Sequence, residues 1–207
     1  TARAYRVDLT DPASVRSLID DTTKDFGGFD IVVANGGGPP PGGVANVTTE
    51  IWNAQFQPMF LSQVEIARAF LPGMRERGWG RLLVVASSGT VQPIPHLGIS
   101  NTLRVALTNW AKSLAGEVAS DGVTVNSILP GRIDTARVHA IDESAAKSQN
   151  KDVEQIREES RASIPAGRYG TVEEFASVAA FLVSAPAGYV TGTVTRVDGG
   201  FIRGVDG

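Results

Sequence analysis

The sequence predicts an α/β fold built on a doubly wound parallel sheet, and three observations carry that expectation. The run Leu82-Leu83-Val84-Val85-Ala86 is apolar without alternation, which suits a central parallel strand covered on both faces. Beyond a polar turn, Leu103, Ala106, Leu107, Trp110, Ala111, Leu114, Ala115 and Val118 recur at helical spacing, so a buried strand feeds a long helix. The same alternation of short apolar run and helical pattern continues to the last run, at residues 194–197. In open α/β sheets the ligand crevice lies just beyond the carboxyl ends of the strands. Ser87, Ser88, His96 and the first turn of the following helix therefore face a candidate site.

Composition narrows the class. A chain of 207 residues with 42% apolar content is long enough for one well-packed domain and short for two. The absence of cysteine removes disulfides, thiolate catalysis and Cys-ligated zinc together, and no metal site is expected. Net charge is −3, with 19 basic and 22 acidic residues well mixed, so no basic stripe for nucleic acid forms. No run reaches membrane-spanning length and no charged-then-apolar leader is visible, which reads as a cytoplasmic protein without membrane partners.

Taken in order, residues 4–9 read as a strand, although the chain opens on Thr1 rather than Met, so the sequence reads as beginning inside a fold. Asp11-Pro12 opens a helix with a capping acid and a first-turn proline; Val15, Leu18, Ile19 and Phe26 follow at helical spacing, and Gly27-Gly28 ends it. Residues 29–34 form a second buried strand, broken by Asn35-Gly36-Gly37-Gly38 and the stiff Pro39-Pro40-Pro41-Gly42-Gly43. Residues 48–78 are a long helical pattern, started by Thr48-Thr49-Glu50 and stopped by Gly78, with a kink expected near residue 54 from Pro58. Phe56, Met59, Phe60, Val64, Ala67 and Leu71 share its apolar stripe, so Met59 is most simply a packing residue. The next strand, residues 123–129, ends in Pro130-Gly131-Arg132-Ile133-Asp134-Thr135. Residues 137–162 turn charged and small, which reads as exposed helices of a mobile lid reaching to about residue 165, or else as a disordered insertion. A helix at 168–185 and the strand at 194–197 complete the pattern, and no internal repeat appears.

Three stretches carry a more specific likeness: the strand Gly80-Arg81 through Ala86-Ser87, the run KSLAGEVASDGVTVNSILPG ending at Gly131, and YVTGTVTRVDGG ending at Gly200. They resemble the short-chain dehydrogenase/reductase family, including its 3-oxoacyl-ACP reductases, from Arg6 to Phe201. The resemblance implies a Rossmann-type sheet in the order 3-2-1-4-5-6-7, NAD or NADP as cofactor, and a small carbonyl or hydroxyl substrate. It also implies a homodimer or homotetramer paired through the helices at 48–78 and 99–120 and the C-terminal strand, with Phe60, Trp110 and Phe201 as interface candidates.

In that family a Ser is followed thirteen residues later by a Tyr and four later by a Lys. Counting from Ser87 reaches Ser100 and Arg104, and counting back eight from Lys112 reaches Arg104 again. The family's Asn falls on Met59. Three of the four catalytic positions thus depart from the pattern. A serine cannot inherit the proton transfer of a phenol, and arginine is a fixed charge rather than a shuttle. His96 is the nearby group that titrates near neutral pH, either the replacement acid or a plain surface residue.

The resemblance further implies a cofactor set. Asp8, with Leu9, stands where an acid approaches the adenine, though Asp8 reads equally well as a cap for the helix at Pro12. Asn35 and Gly36 stand for Asn-Ala against the adenosine half, and Arg104 for the Lys on the ribose hydroxyls. Pro130, Gly131, Ile133 and Thr135 stand for the loop that holds the nicotinamide amide. Nothing in the sequence matches a Gly-rich pyrophosphate turn, because Gly36-Gly37-Gly38 lacks the spacing and runs into prolines. Two further strands, on the order of fifty residues, are therefore expected upstream, and without them the strand at 29–34 would show a bare apolar edge; the alternative is that residues 4–9 have moved to pair elsewhere or with a neighbouring chain. Two functions remain open at this level: a divergent oxidoreductase, or an inactive relative serving as a binding or structural subunit.

Overall fold

The computed structural model describes residues 2–204. Four strands, β1 (Ile31–Ala34), β2 (Gly80–Val85), β3 (Val123–Pro130) and β4 (Val194–Val197), pair in parallel in that order. The register sets Ile31 beside Arg81, Val85 beside Ile128 and Ser127 beside Val194. Runs without alternation become the central strands, as expected of sheets covered on both sides. Five of six residues of β2 and seven of eight of β3 are buried. On one face Val32, Leu82, Val84, Val123 and Val125 pack against Ala67, Phe70 and Met74 of α3 (Ser62–Glu76) and Leu107, Ala111 and Ala115 of α4 (Gly98–Val118). On the other, Leu83 and Ile128 meet Phe175, Val178 and Leu182 of α7 (Val172–Leu182). Helices on both faces of a parallel sheet are the expected Rossmann-type architecture.

β1 is an edge strand, and its burial alternates: Val32 and Ala34 are covered, while Ile31 and Val33 are 43% and 53% exposed. The bare apolar edge is present, but the expectation that this strand is buried on both faces is corrected. Residues 2–8 run without ladder bonds, so the strand expected at 4–9 does not form. A strand exists only through a partner, and in the 3-2-1-4-5-6-7 order this segment is no neighbour of β1. Its end is still organised. Asp8 accepts bonds from the Thr10 amide at 2.9 Å and the Thr10 hydroxyl at 2.7 Å, and these, the hydroxyl first, hold its carboxyl below the usual range. The cap of α1 (Pro12–Phe26) is Asp11, which accepts from the Ala13 amide, so the capping reading of Asp8 falls.

The long pattern at 48–78 divides into α2 (Thr49–Phe56), a π-helical turn at Gln57–Leu61, and α3. Pro58 has no N–H to donate, and the Ser62 amide reaches Gln57 across one extra residue. The kink expected at residue 54 is thus absorbed as a π-bulge. Met59, inside it, is buried with Ile99 and Leu103, which is the packing role expected. Phe60 and Trp110 are partly buried against the core, and Phe60 stacks on Phe56.

Residues 137–162 are helical, as α5 (Ala136–Gln149) and α6 (Val153–Ala162), but Asp142, Ala146, Ile156 and Ile164 are buried beneath the charged surface. The helix expected at 168–185 begins later, at Val172, because Gly170 instead pairs with Ile133 and Thr171 caps the helix in a capping box with Glu174. Arg168, then the Thr171 amide, lower the Glu174 carboxyl to about 2. A depressed carboxyl stabilises the native state above its unfolded value of 4.5, and that contribution is lost as pH falls through about 2. The Glu174 carboxyl resonance should therefore titrate well below the 4.5 of a free glutamate. A midpoint near 4.5 would contradict the arrangement. Among the described residues no helix is long and apolar enough to cross a membrane, and no cluster of three metal-ligating side chains occurs.

Candidate active site

Three turns leave the carboxyl ends of β1, β2 and β3 side by side. From β2 comes Ser87, whose oxygen accepts the Gly89 amide at 3.2 Å while its carbonyl receives both the amide and the hydroxyl of Thr90. Its own hydroxyl proton has no acceptor among the described residues. The adjacent Asn101 grips Ile94 through both its amide groups, at 3.3 and 2.9 Å. That shapes the loop carrying His96, which is exposed and holds a φ of 62°. Such a backbone is costly for a non-glycine residue and is often found near functional sites. The His96 carbonyl accepts from Gly42 at 2.6 Å, and Gly98 donates to Gly42 at 3.0 Å, so the proline-rich loop after β1 is docked against the start of α4.

Arg104 lies in the second turn of α4, beside the carboxyl end of β2, and its partners are main-chain carbonyls. One terminal nitrogen donates to Val85 and Ala86 at 3.0 and 3.3 Å, the other to Gly36 and Gly37 at 3.5 and 3.2 Å. Those bonds use all four N–H groups of the two terminal nitrogens, leaving Nε–H for anything else. Burial, and secondarily the charge of Arg137, hold this guanidinium below its usual pKa. Ser100, one turn earlier, is half-buried and makes no side-chain hydrogen bond among the described residues.

Asp8 and Leu9 meet Gly37 and Gly38 around a cleft of about 520 Å³ that Met59 also borders. Ser62 fastens Leu9 by donating to its carbonyl at 2.7 Å. Gly36 lies so close to Gln63 that an added Cβ would sit 2.6 Å from its amide nitrogen, whereas Gly37 faces open space. Asn35 is exposed and makes no side-chain bond among the described residues. From β3, Gly131 donates to Val197 at 2.9 Å, and an added Cβ would sit 2.6 Å from Asp198 Cα. Ile133 is buried, and Thr135 caps α5 by accepting from Val138 at 3.4 Å. Room beside Asp8, bare glycine main chain and an intact Pro130-to-Thr135 loop fit the two ends of a nicotinamide nucleotide. A Gly-rich cradle for its pyrophosphate is absent among the described residues.

Sequence reasoning missed the polar groups that tie α5 to this loop. Asp142, fully buried, accepts from Arg132 at 2.7 Å and from the Tyr169 hydroxyl at 2.8 Å; burial first, and Asp142 among the other causes, keep that phenol protonated above its ordinary value. His139 joins Asp134 at 2.5 Å and Arg157 at 3.4 Å. Arg137, two residues past the Thr135 motif, could have been found by reading the motif onward into its helix.

A family model described as enoyl-(acyl carrier protein) reductase matches residues 1–202. The uncharacterized oxidoreductase YvrD of Bacillus subtilis is 33% identical over 207 residues, 98% of this chain and 78% of its own. The 3-oxoacyl-[acyl-carrier-protein] reductase FabG of Salmonella typhimurium is 32% identical over 200 residues, 96% of this chain and 77% of its own. The crystal structure of L-sorbose reductase from Gluconobacter frateurii, complexed with NADPH and L-sorbose, superimposes with a TM-score of 0.88 at 32% identity, covering 96% of this chain and 76% of that one. On the match of its sequence and its sheet, the chain belongs to the short-chain dehydrogenase/reductase family.

Proposed function

We propose that this chain is an NAD(P)-dependent oxidoreductase interconverting a carbonyl and a hydroxyl on a small molecule, with a proton route that does not use a Tyr–Lys pair. The observation that carries it is the free Ser87 hydroxyl, which leaves β2 in step with Pro130 on the neighbouring β3, since Ala86 donates to Ile128 at 3.0 Å. A group held there can bond a substrate oxygen beside the loop that would hold a nicotinamide. Support also comes from relatives named as reductases and from a similar structure described with NADPH and a sugar substrate.

A nicotinamide nucleotide supplies a hydride donor or acceptor when bound. Asp8, Leu9, Asn35 and Gly36 would receive its adenosine half, and Pro130, Gly131, Ile133 and Thr135 its nicotinamide. Ser87 donates to the substrate oxygen. Arg104 holds the walls of the site through its carbonyl bonds, with Nε–H left for a ribose hydroxyl. His96 passes the proton, directly or through water, and Ser100 lines the approach. Helices α5 and α6 act as the lid.

Incubating the protein with NADH or NADPH and a panel of ketones, while following nicotinamide absorbance, tests this reading. Turnover with one nucleotide is the expected result. Nucleotide binding without turnover of any ketone would overturn it in favour of a binding subunit.

A further inference from the structure

Every other arginine between residues 130 and 170 has an acidic partner: Arg132 pairs with Asp142, Arg157 and Arg161 with Glu154, and Arg168 with Glu174. Arg137 has none among the described residues. Its guanidinium lies over the main chain of Gly38, where an added Cβ would be 2.9 Å from its nitrogen. Arg104 touches the carbonyl of the preceding glycine at 3.2 Å. Two cations therefore border one glycine pair without a carboxylate between them, and they repel each other. Arg137 also sits in the first turn of α5, which holds no acid, where the helix dipole disfavours a positive charge. Asp8, which lines a cleft with Gly37 and Gly38, is directed to Thr10. An arrangement of this kind lowers its energy when an anion enters.

We propose that the space between the Arg137 guanidinium, Gly37, Gly38 and Arg104 takes the carboxylate of the substrate, making the substrate class the oxo acids and their hydroxy counterparts. The inference rests on the oxidoreductase reading. A planar guanidinium matches a carboxylate through two parallel bonds, and the bare glycine main chain lets it approach closely. Arg104 reaches Val85 and Ala86, the residues just before Ser87, so the anion site adjoins the place assigned to the reacting carbonyl.

The test is calorimetric binding, in the presence of NADPH, of pyruvate, acetoacetate and levulinate, each beside its methyl ester, to the parent protein and to Arg137→Gln and Arg137→Lys. At least one acid should bind the parent about tenfold tighter than its ester. Arg137→Gln should erase that preference without weakening NADPH, and Arg137→Lys should restore part of it. Equal binding of acid and ester, or no binding of any acid, overturns the proposal. So does an Arg137→Gln variant that loses NADPH affinity while keeping the preference, because the anion is then a phosphate of the nucleotide. Turnover is read separately: esters reduced without an acid preference sink this inference alone, whereas acids bound preferentially but never reduced sink the oxidoreductase reading and with it the substrate class, leaving only an anion site.

Discussion

Replacing Arg104 with alanine should destabilise the protein by about 2–4 kcal/mol and release the loop after β1. Hydrogen bonds from a charged donor contribute roughly 1.5–3 kcal/mol each, but four bonds from one group are not additive. Water will also reach part of the freed main chain, because the Arg104 position is only half-buried. The guanidinium spans acceptors from two turns at once, Val85 and Ala86 on one and Gly36 and Gly37 on the other. Arg104→Lys should recover less than half of the loss, since an ammonium is a point donor that cannot straddle both turns. Denaturant unfolding gives the energy, and amide exchange at Gly36, Gly37 and Gly38 reports the loop. A loss under about 1 kcal/mol with unchanged exchange would show that the clamp holds nothing.

What could be read in the sequence follows from how local each determinant is. The strands of the sheet core were legible because an unbroken apolar run such as Leu82 to Ala86 has few other ways to be buried, and α1 because Asp11, Pro12 and Gly27 mark its ends. Residues 4–9 misled because strand composition records burial preference, not the presence of a pairing neighbour. That Arg104 faces the carboxyl end of β2 was legible from its place in the first turns of the helix, but its main-chain acceptors were not. Its acceptors are carbonyls 18 and 19 residues away on one side and 67 and 68 on the other, and main-chain groups leave no mark in a sequence. The same holds for α5: a charged segment looks solvated until a distant Tyr169 and Arg132 enclose one of its carboxylates.

That enclosed carboxylate gives the other large effect. Asp142 is fully buried and its two oxygens are divided between Arg132 and Tyr169, so it joins the loop after β3, the helix α5 and the turn before α7 at one point. Burying a charge is unfavourable unless it is paired and hydrogen-bonded, and removing one partner of a buried pair costs about 3–5 kcal/mol. Arg132 keeps 33% of its side chain exposed, so part of its charge can return to water when the carboxylate goes. Asp142→Ala should therefore cost about 2–4 kcal/mol, which for a chain of this size lowers the melting temperature by roughly 10 °C. Tyr169→Phe removes a single bond and should cost about 1 kcal/mol. The double variant should cost less than the sum of the two, because both act on the same carboxylate. Amide exchange should rise in α5 and α6 before it rises in β2 or β3, since Asp142 fastens α5 rather than the sheet. A melting temperature for Asp142→Ala within about 2 °C of the parent would mean that α5 is held by its apolar contacts through Ala146 and Ile156, and that the buried carboxylate is incidental to it.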